Sequence, residues 1–269
     1  MSELKPKANK KLGQHYLNNT NTIKNICADF NGQYDLILEI GPGPATLTKF
    51  LVEKKHPVVL IEKDERFVEM LNALNPAPQI FHVDALEFDV EQMLQELNSQ
   101  HTWLVSNLPY NVGTPIMIKY MQVPQIKYLT LMFQKEVAQK VHLPLFGEKK
   151  MKKEMNSLHA LVNNYFEISL LQKVPPGQFS PPPKVDSAVI SLKKRNNPII
   201  AWSEFNQYEE FLRKLFSNRR KQLGSVLKNF FDKDIVVKVF ENLNIENSRR
   251  SETLTFSEVV DIYQNLIKG

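Results

Sequence analysis

The sequence predicts an α/β protein, a parallel sheet covered by helices on both faces, followed by a small all-helical domain. Three observations carry this. Between about residues 22 and 134, short apolar or β-branched runs alternate with amphipathic stretches across short connections. Two further strand-like runs follow, joined by a proline-rich link that has no room for a helix. After "KRNNP" (194–198) only helical spacing remains.

The elements follow in order. "TIKNICADF" (22–30) has helical periodicity, and "YDLILEI" (34–40) is a buried strand ending at Gly41. "TLTKFLVEK" (46–54) is an amphipathic helix. "HPVVLIEKD" (56–64) is a β-branched strand with an acid at its end. The alternation continues with helix "RFVEMLNAL" (66–74), strand "QIFHVDAL" (79–86), helix "VEQMLQEL" (90–97) and strand "TWLVSN" (102–107). Helix "TPIMIKYM" (114–121) and strand "YLTLMFQ" (128–134) close it. The two later strands are "FEISLLQKV" (166–174) and "VDSAVISLK" (185–193); without a helix between them, an antiparallel pairing is expected. "FLRKLFSNRR" (211–220), "IVVKVFENL" (235–243) and "FSEVVDIYQNLI" (256–267) are the helices of the second domain. The boundary is drawn at 195/196, giving domains 1–195 and 196–269, with residues 1–20 as an arm.

The chain has 269 residues, 42% of them apolar with 16 Phe, enough for a sizeable core. No apolar stretch reaches the ~20 residues of a membrane helix. The basic start "MSELKPKANKK" lacks the apolar run of a secretory signal. The single cysteine, Cys27, sits on a helical pattern and reads as a packing residue in a reducing, cytoplasmic setting. The net charge is +5, and its distribution is more telling. Lys5, Lys7, Lys10 and Lys11 form one cluster and "EKKMKKE" (148–154) another. The third holds Arg213, Lys214, Arg219, Arg220, Lys221 and Lys228 without an intervening acid. Three basic clusters suit a polyanion, although solvated helix faces would look the same. His56, His142 and His159 lack metal-ligand spacing, and no metal is expected.

The chemistry gathers at four successive strand ends. The first strand ends in "LEIGPGPATL", where Glu39, Gly41 and Gly43 bracket a tight turn. Doubly wound sheets bind nucleotide-like ligands at such turns. The pattern departs from G-x-G-x-x-G, because residue 46 is Thr, and Pro42 and Pro44 remove amides that a pyrophosphate would use. The second strand ends in Glu62, placed about 20 residues beyond the turn, where an acid can accept ribose hydroxyls. The third ends in Asp84, followed by Ala85; here a carboxylate or its backbone neighbour can meet an adenine amino group, or cap the next helix. The fourth ends in Asn107, Leu108, Pro109 and Tyr110. A surface turn explains Asn and Pro but not the aromatic ring beside them.

With these residues in order, the chain resembles the rRNA adenine N6-dimethyltransferases, within the Rossmann-like S-adenosylmethionine-dependent methyltransferases. The likeness covers nearly the whole chain. It runs from "KKLGQHYL" (10–17) through "EIGPG" (39–43), Glu62, Asp84, "NLPY" (107–110) and "FQKEVAQKV" (133–141). It continues through "VPPGQFSPPPKVDSAV" (174–189), "FSNRRKQL" (216–223) and "SRRSETL" (248–254). Within the family, "VPPGQF" and "NRRKQL" resemble the bacterial small-subunit branch more than the erythromycin-resistance enzymes that modify large-subunit rRNA. The resemblance implies conversion of two adjacent adenosines near the 3′ end of the small-subunit rRNA to N6,N6-dimethyladenosine, with a role in subunit assembly and a monomeric enzyme. It implies a cofactor site of His15, Leu17, Glu39, Gly41, Gly43, Glu62, Asp84, Ala85 and Asn107. It implies RNA contacts through Arg219, Arg220, Lys221, Arg249 and Arg250. His15 and Tyr16 stand where Asn and Phe are frequent in the family, Ala45 where Gly is, and 146–162 departs from the usual pattern.

Such an enzyme must help a poor nucleophile, since the lone pair of adenine N6 is delocalised into the ring. The Asn107 side-chain oxygen and the Leu108 carbonyl are suited to accept the N6 hydrogens, with Pro109 fixing the turn and Tyr110 offering a ring for an extruded base. Two other classes fit the sequence less well. A nicotinamide oxidoreductase needs the missing phosphate-binding glycine pattern, and a non-catalytic assembly factor has no need of Asn107 and Tyr110.

Overall fold

The computed structural model describes residues 6, 13–142 and 155–267. By contact the chain divides into two compact units, Met1–Ala138 with Ile168–Lys194, and Gln139–Glu167 with Arg195–Gly269.

In the first unit a two-residue strand β1 (Tyr16–Leu17) precedes helix α1 (Thr20–Ala28), which Asn19 caps by accepting the Thr22 N–H. Strand β2 (Leu36–Ile40) and, after the short α2 (Thr48–Leu51), strand β3 (Val58–Glu62) are buried at every position. That is the pattern of strands covered on both faces. Next come α3 (Val68–Asn72), the more exposed strand β4 (Gln79–His82), α4 (Val90–Glu96), β5 (Thr102–Asn107) and α5 (Gly113–Met121). Strand β6 (Ile126–Gln134) leads into α6 (Lys135–Val141). After α7 (Ser157–Tyr165) the chain forms β7 (Phe166–Val174), β8 (Phe179–Ser180) and β9 (Ser187–Lys194).

The main sheet has the order β4-β3-β2-β5-β6-β9-β7. The five strands from β4 to β6 are mutually parallel, and β9 runs antiparallel to β6. The order reverses between β2 and β5, so a crevice opens beyond their carboxyl ends, where sheets of this kind hold ligands. Ile37, Leu38, Leu60, Trp103 and Leu129 are fully buried in or against the sheet. Each such side chain stabilises the fold by about 1.5–3 kcal/mol.

The helical unit takes Gln139–Glu167, which the 195/196 boundary leaves in the first domain, and two local features also depart from the sequence reading. The stretch expected to be helical from Thr46 to Lys54 keeps only Thr48–Leu51 as helix. Gly41, Gly43 and Ala45 all have positive φ (66°, 51° and 58°) and alternate with Pro42 and Pro44, so the backbone cannot enter a regular helix until it has passed them. The second is the small sheet in which β1 pairs antiparallel with β8, Tyr16 opposite Ser180 and Leu17 opposite Phe179. Two-residue strands have no periodicity to read. Cys27 is buried at 5% exposure, as its helical position suggests.

The second unit contains α7, α8 (Phe205–Leu215), α9 (Leu223–Leu227), α10 (Lys233–Asn242) and α11 (Phe256–Ile267). Its core is aromatic. Tyr263 lies edge-on to Tyr208 at 4.9 Å and to Phe211 at 5.3 Å, and Tyr165 packs on Trp202 at 4.3 Å. Among the described residues no helix is long and apolar enough to cross a membrane.

One polar network ties α1 to the sheet. Asp29 Oδ2 accepts from Thr130 Oγ1 (2.6 Å) and Ser191 Oγ (2.5 Å), and the Trp103 indole donates to Thr130 Oγ1 at 2.9 Å. Thr130 and Ser191 are buried, so removing the carboxylate strands two hydroxyls. Asp29→Ala is expected to lower stability by about 2–4 kcal/mol, read as a lower urea midpoint.

Candidate active site

Residues from all four strand ends, together with the arm, line one cavity of about 300 Å³ in the first unit. It is bordered by every candidate catalytic residue and every candidate cofactor residue read from the sequence: His15, Leu17, Glu39, Gly41, Gly43, Glu62, Asp84, Ala85, and Asn107 to Tyr110.

Glu62 anchors the site. At 5% exposure, its Oε2 accepts the Gly43 N–H at 2.9 Å and its Oε1 the Asp64 N–H at 2.7 Å. Burial raises its pKa, and these backbone donors work against the rise. The glycine loop itself has few donors left. The Gly41 amide bonds the Ile61 carbonyl, the Gly43 amide serves Glu62, and residues 42 and 44 are prolines. A pyrophosphate would find no cradle here. The cavity wall instead offers acceptors, from Glu39, Glu62, Asp84 and Asn107. That set suits a hydroxyl-rich, cationic group without phosphate.

Glu39, 2% exposed, accepts a 2.8 Å bond from Thr48 Oγ1, and burial pushes its pKa up to about 8. Asp84 is not the cap of the next helix, α4, whose N-cap is Asp89. Asp84 Oδ1 accepts the Leu86 N–H at 2.9 Å, while its Oδ2 pairs with Lys63 Nζ at 2.6 Å, which lowers its pKa. The Ala85 carbonyl accepts from the Tyr120 hydroxyl at 3.1 Å.

At the end of β5, Asn107 Nδ2 donates to the His15 carbonyl at 3.0 Å. This fixes the amide and leaves Oδ1 as an acceptor. No donor among the described residues takes the Leu108 carbonyl, whose side chain is buried at 1%. The Tyr110 hydroxyl meets Ser187 Oγ at 2.7 Å, and its ring stacks on His15 with centroids 5.3 Å apart.

The arm is held by residues that the sequence reading did not single out. Gln14 Nε2 donates to Asp64 Oδ2 at 2.8 Å, and Arg66 grips the same carboxylate through Nε (2.8 Å) and Nη2 (2.6 Å). The Tyr16 hydroxyl donates to Gln14 Oε1 at 2.7 Å. On the other side the Asn18 N–H reaches the Gln178 carbonyl at 2.8 Å, and Thr22 Oγ1 reaches Gln178 Oε1 at 2.6 Å. The proline-rich link thus clamps the arm; only the density of Pro and Gly around Gln178 hinted that this loop had a fixed shape.

In the helical unit the basic residues differ among themselves. Arg213 and Lys214 pair with Glu209 and Glu210 one turn earlier, and Arg219 Nε lies 3.6 Å from Glu252. Arg249 is held by both Glu258 oxygens and the Thr253 carbonyl, which makes it a brace of this unit. Arg220, Lys221 and Arg250 are exposed. The clusters at Lys5–Lys11 and 148–154 lie outside the described residues.

The chain has relatives among known proteins. The family model described as ribosomal RNA adenine dimethylase matches residues 5–268. The chain is 36% identical over 273 residues to a Clostridium perfringens protein named ribosomal RNA small subunit methyltransferase A, covering 95% of this chain and 92% of that one. A protein of the same name from Francisella tularensis subsp. novicida is 32% identical, with 97% and 98% covered. Among solved structures, a dimethyladenosine transferase from Plasmodium falciparum superposes with a TM-score of 0.72 at 24% identity, covering 92% and 96%. The 23S rRNA methyltransferase ErmE gives 0.70 at 21%, covering 93% and 99%. At these identities the two structures speak for the fold.

The buried acid of the glycine loop gives a pH signature. A carboxyl whose folded pKa is about 8, against an ordinary 4.5, favours the fold while protonated. Its contribution is complete below about pH 4.5 and is lost as pH rises through 8. Glu39→Gln is therefore expected to lose less thermal stability than the parent between pH 5 and pH 8, measured by melting in the absence of ligand.

Proposed function

Since the chain belongs to the ribosomal RNA adenine dimethylase family, we propose that this cavity is where methyl transfer takes place, with Asn107, Leu108, Pro109 and Tyr110 holding the target base. The protein is an S-adenosylmethionine-dependent rRNA adenine dimethyltransferase of the small-subunit type. We read its substrate as two adjacent adenosines near the 3′ end of that rRNA, in free or assembling subunits, and its setting as the cytoplasm, with the enzyme working as a monomer. The observation that best supports the site reading is the meeting of four strand ends and the arm around one acceptor-lined, phosphate-unfriendly cavity.

S-adenosylmethionine, when bound, supplies a methyl group carried on a positively charged sulfur. Glu62, fixed by two backbone amides, is the residue to take ribose hydroxyls. Asp84 and Ala85 border the place for an adenine ring. Glu39, Gly41 and Gly43 line the inner wall, with His15 and Leu17 on the arm side.

The chain's own residues act on the substrate base. Asn107 Oδ1 and the Leu108 carbonyl accept the two N6 hydrogens and favour a pyramidal nitrogen whose lone pair is free to attack. Both acceptors are fixed in advance, Asn107 by its bond to His15 and Leu108 by the Pro109 turn and its buried side chain. Tyr110 gives the extruded base a stacking surface. Once alkylated, the nitrogen is acidic enough to release its proton to water, so no general base is required.

Incubating the protein with both rRNAs and mapping dimethyladenosine by mass spectrometry tests the assignment. Modification confined to the small-subunit rRNA is expected; modification of the large-subunit rRNA would move the enzyme to the erythromycin-resistance branch.

Asn107→Ala is expected to slow single-turnover methyl transfer by about 10²–10³-fold, with cofactor and RNA affinities changed only a few fold. Near-parental rates would return "NLPY" to the status of a turn. Tyr110→Ala removes a stack worth roughly 1–3 kcal/mol and is expected to weaken base capture as well. Tyr110→Phe keeps the ring but leaves buried Ser187 Oγ without its hydroxyl partner; it is expected to spare activity and cost about 1 kcal/mol of stability.

We assign RNA contact to the exposed Arg220, Lys221 and Arg250, with Arg219 shared with Glu252 and Arg249 positioning this segment through Glu258. Replacing Arg220 and Lys221 with Gln is expected to reduce the slope of log affinity against log salt by about 1.5. An unmoved slope would take these cations out of the interface.

A further inference from the structure

We propose that His15 is a placeholder for the target base. Its imidazole covers the Tyr110 ring in the substrate-free enzyme, and the extruded adenine must displace it. The inference rests on the reading of Tyr110 as the stacking surface.

The geometry carries this. The two rings are stacked, 5.3 Å between centroids and 27° between planes. A base inserted between them would need the rings at roughly twice the ~3.4 Å stacking spacing of nucleic acids, wider than the 5.3 Å between centroids, so a base can take this face of Tyr110 only once the imidazole has moved. The opposite edge of Tyr110 is committed, because its hydroxyl is bonded to Ser187, which is fully buried. Tyr110 therefore cannot turn to receive the base without breaking that bond. His15 is the partner free to move. Among the described residues its side chain makes one polar contact, Nδ1 to the Pro181 carbonyl at 2.9 Å at an exposed position.

The main chain at His15 is held independently of the ring. Its carbonyl accepts from Asn107 Nδ2, and Tyr16 and Leu17 are paired with β8. Rotation of the His15 side chain can uncover Tyr110 while the arm stays closed and Asn107 stays oriented. An aromatic face that would otherwise stand in water is kept covered until a better stacking partner arrives. Nucleobases stack on aromatic side chains more strongly than a small imidazole does, so the exchange runs forward only for a base presented to the slot. A ring at residue 15 thereby sets a threshold for base capture, which makes it a specificity-determining position.

The test uses the full chain with small-subunit rRNA at saturating S-adenosylmethionine, reading the half-saturating RNA concentration separately from the maximal single-turnover rate. Removing the competing ring with His15→Ala should lower the half-saturating concentration by roughly 2- to 10-fold. His15→Asn, which keeps a polar side chain but has no ring, should do the same. His15→Phe, a larger competitor, should raise it. In a Tyr110→Ala background, both His15 effects should vanish. No change with His15→Ala and His15→Asn, a rise, or a gain that survives the loss of Tyr110 would each overturn the proposal. If Tyr110→Ala itself captures the base as the parent does, the fault lies with the reading of Tyr110. A His15 failure alongside a Tyr110→Ala defect condemns only the placeholder.

Discussion

A buried carboxylate cannot remain charged without donors, and among the described residues Glu62 takes them from the backbone amides of Gly43 and Asp64. That constraint organises the site. Taking the Gly43 amide pulls the loop after β2 against the end of β3, and taking the Asp64 amide fixes the turn after β3. Asp64 then presents its own carboxylate to Gln14 and Arg66, which brings the arm down beside the loop. The arm's next residue accepts from Asn107. One buried acid is thus connected, bond by bond, to the Asn107 amide. Breaking the chain anywhere along it should be felt at the far end.

The glycine loop shows how the backbone limits chemistry. With prolines at 42 and 44 and internal bonds at 41 and 43, the loop has the shape of a nucleotide turn but few spare donors. Its alternation of left-handed residues with φ-locked prolines leaves few conformations to lose on binding. Ala45 accepts the same left-handed geometry at 58°, fully buried, where a β-carbon is tolerated at some cost.

Strand ends were legible in the sequence because burial on both faces writes a continuous apolar run, and because Gly, Glu, Asp and Asn break that run at a definite residue. The second-strand acid and the "NLPY" turn could be placed this way before any coordinates. The pairing of Tyr16–Leu17 with Phe179–Ser180 left no such mark, since two-residue strands have no period. Nor did the ring contact of His15, because spacing reveals which side chains share a face but not which loops cross. Charge was the least informative feature. Six cations between 213 and 228 without an intervening acid suited a polyanion and a solvated helix face alike, and in the fold Arg213, Lys214 and Arg219 each lie near an acid that is distant in sequence or just upstream. Sequence counts charges; only the fold shows which are already neutralised.

The helical unit is assembled from two separate stretches, Gln139–Glu167 and Arg195–Gly269, with strand residues of the other unit threaded between them. A scissor cut at the visible change of texture near residue 196 would therefore not release a whole module. The excised C-terminal piece would lack Tyr165, the ring on which Trp202 rests. Grafting this unit onto another enzyme, or exchanging it between relatives, requires transplanting both stretches together. A recombination point between residues 165 and 202 separates rings that pack on each other.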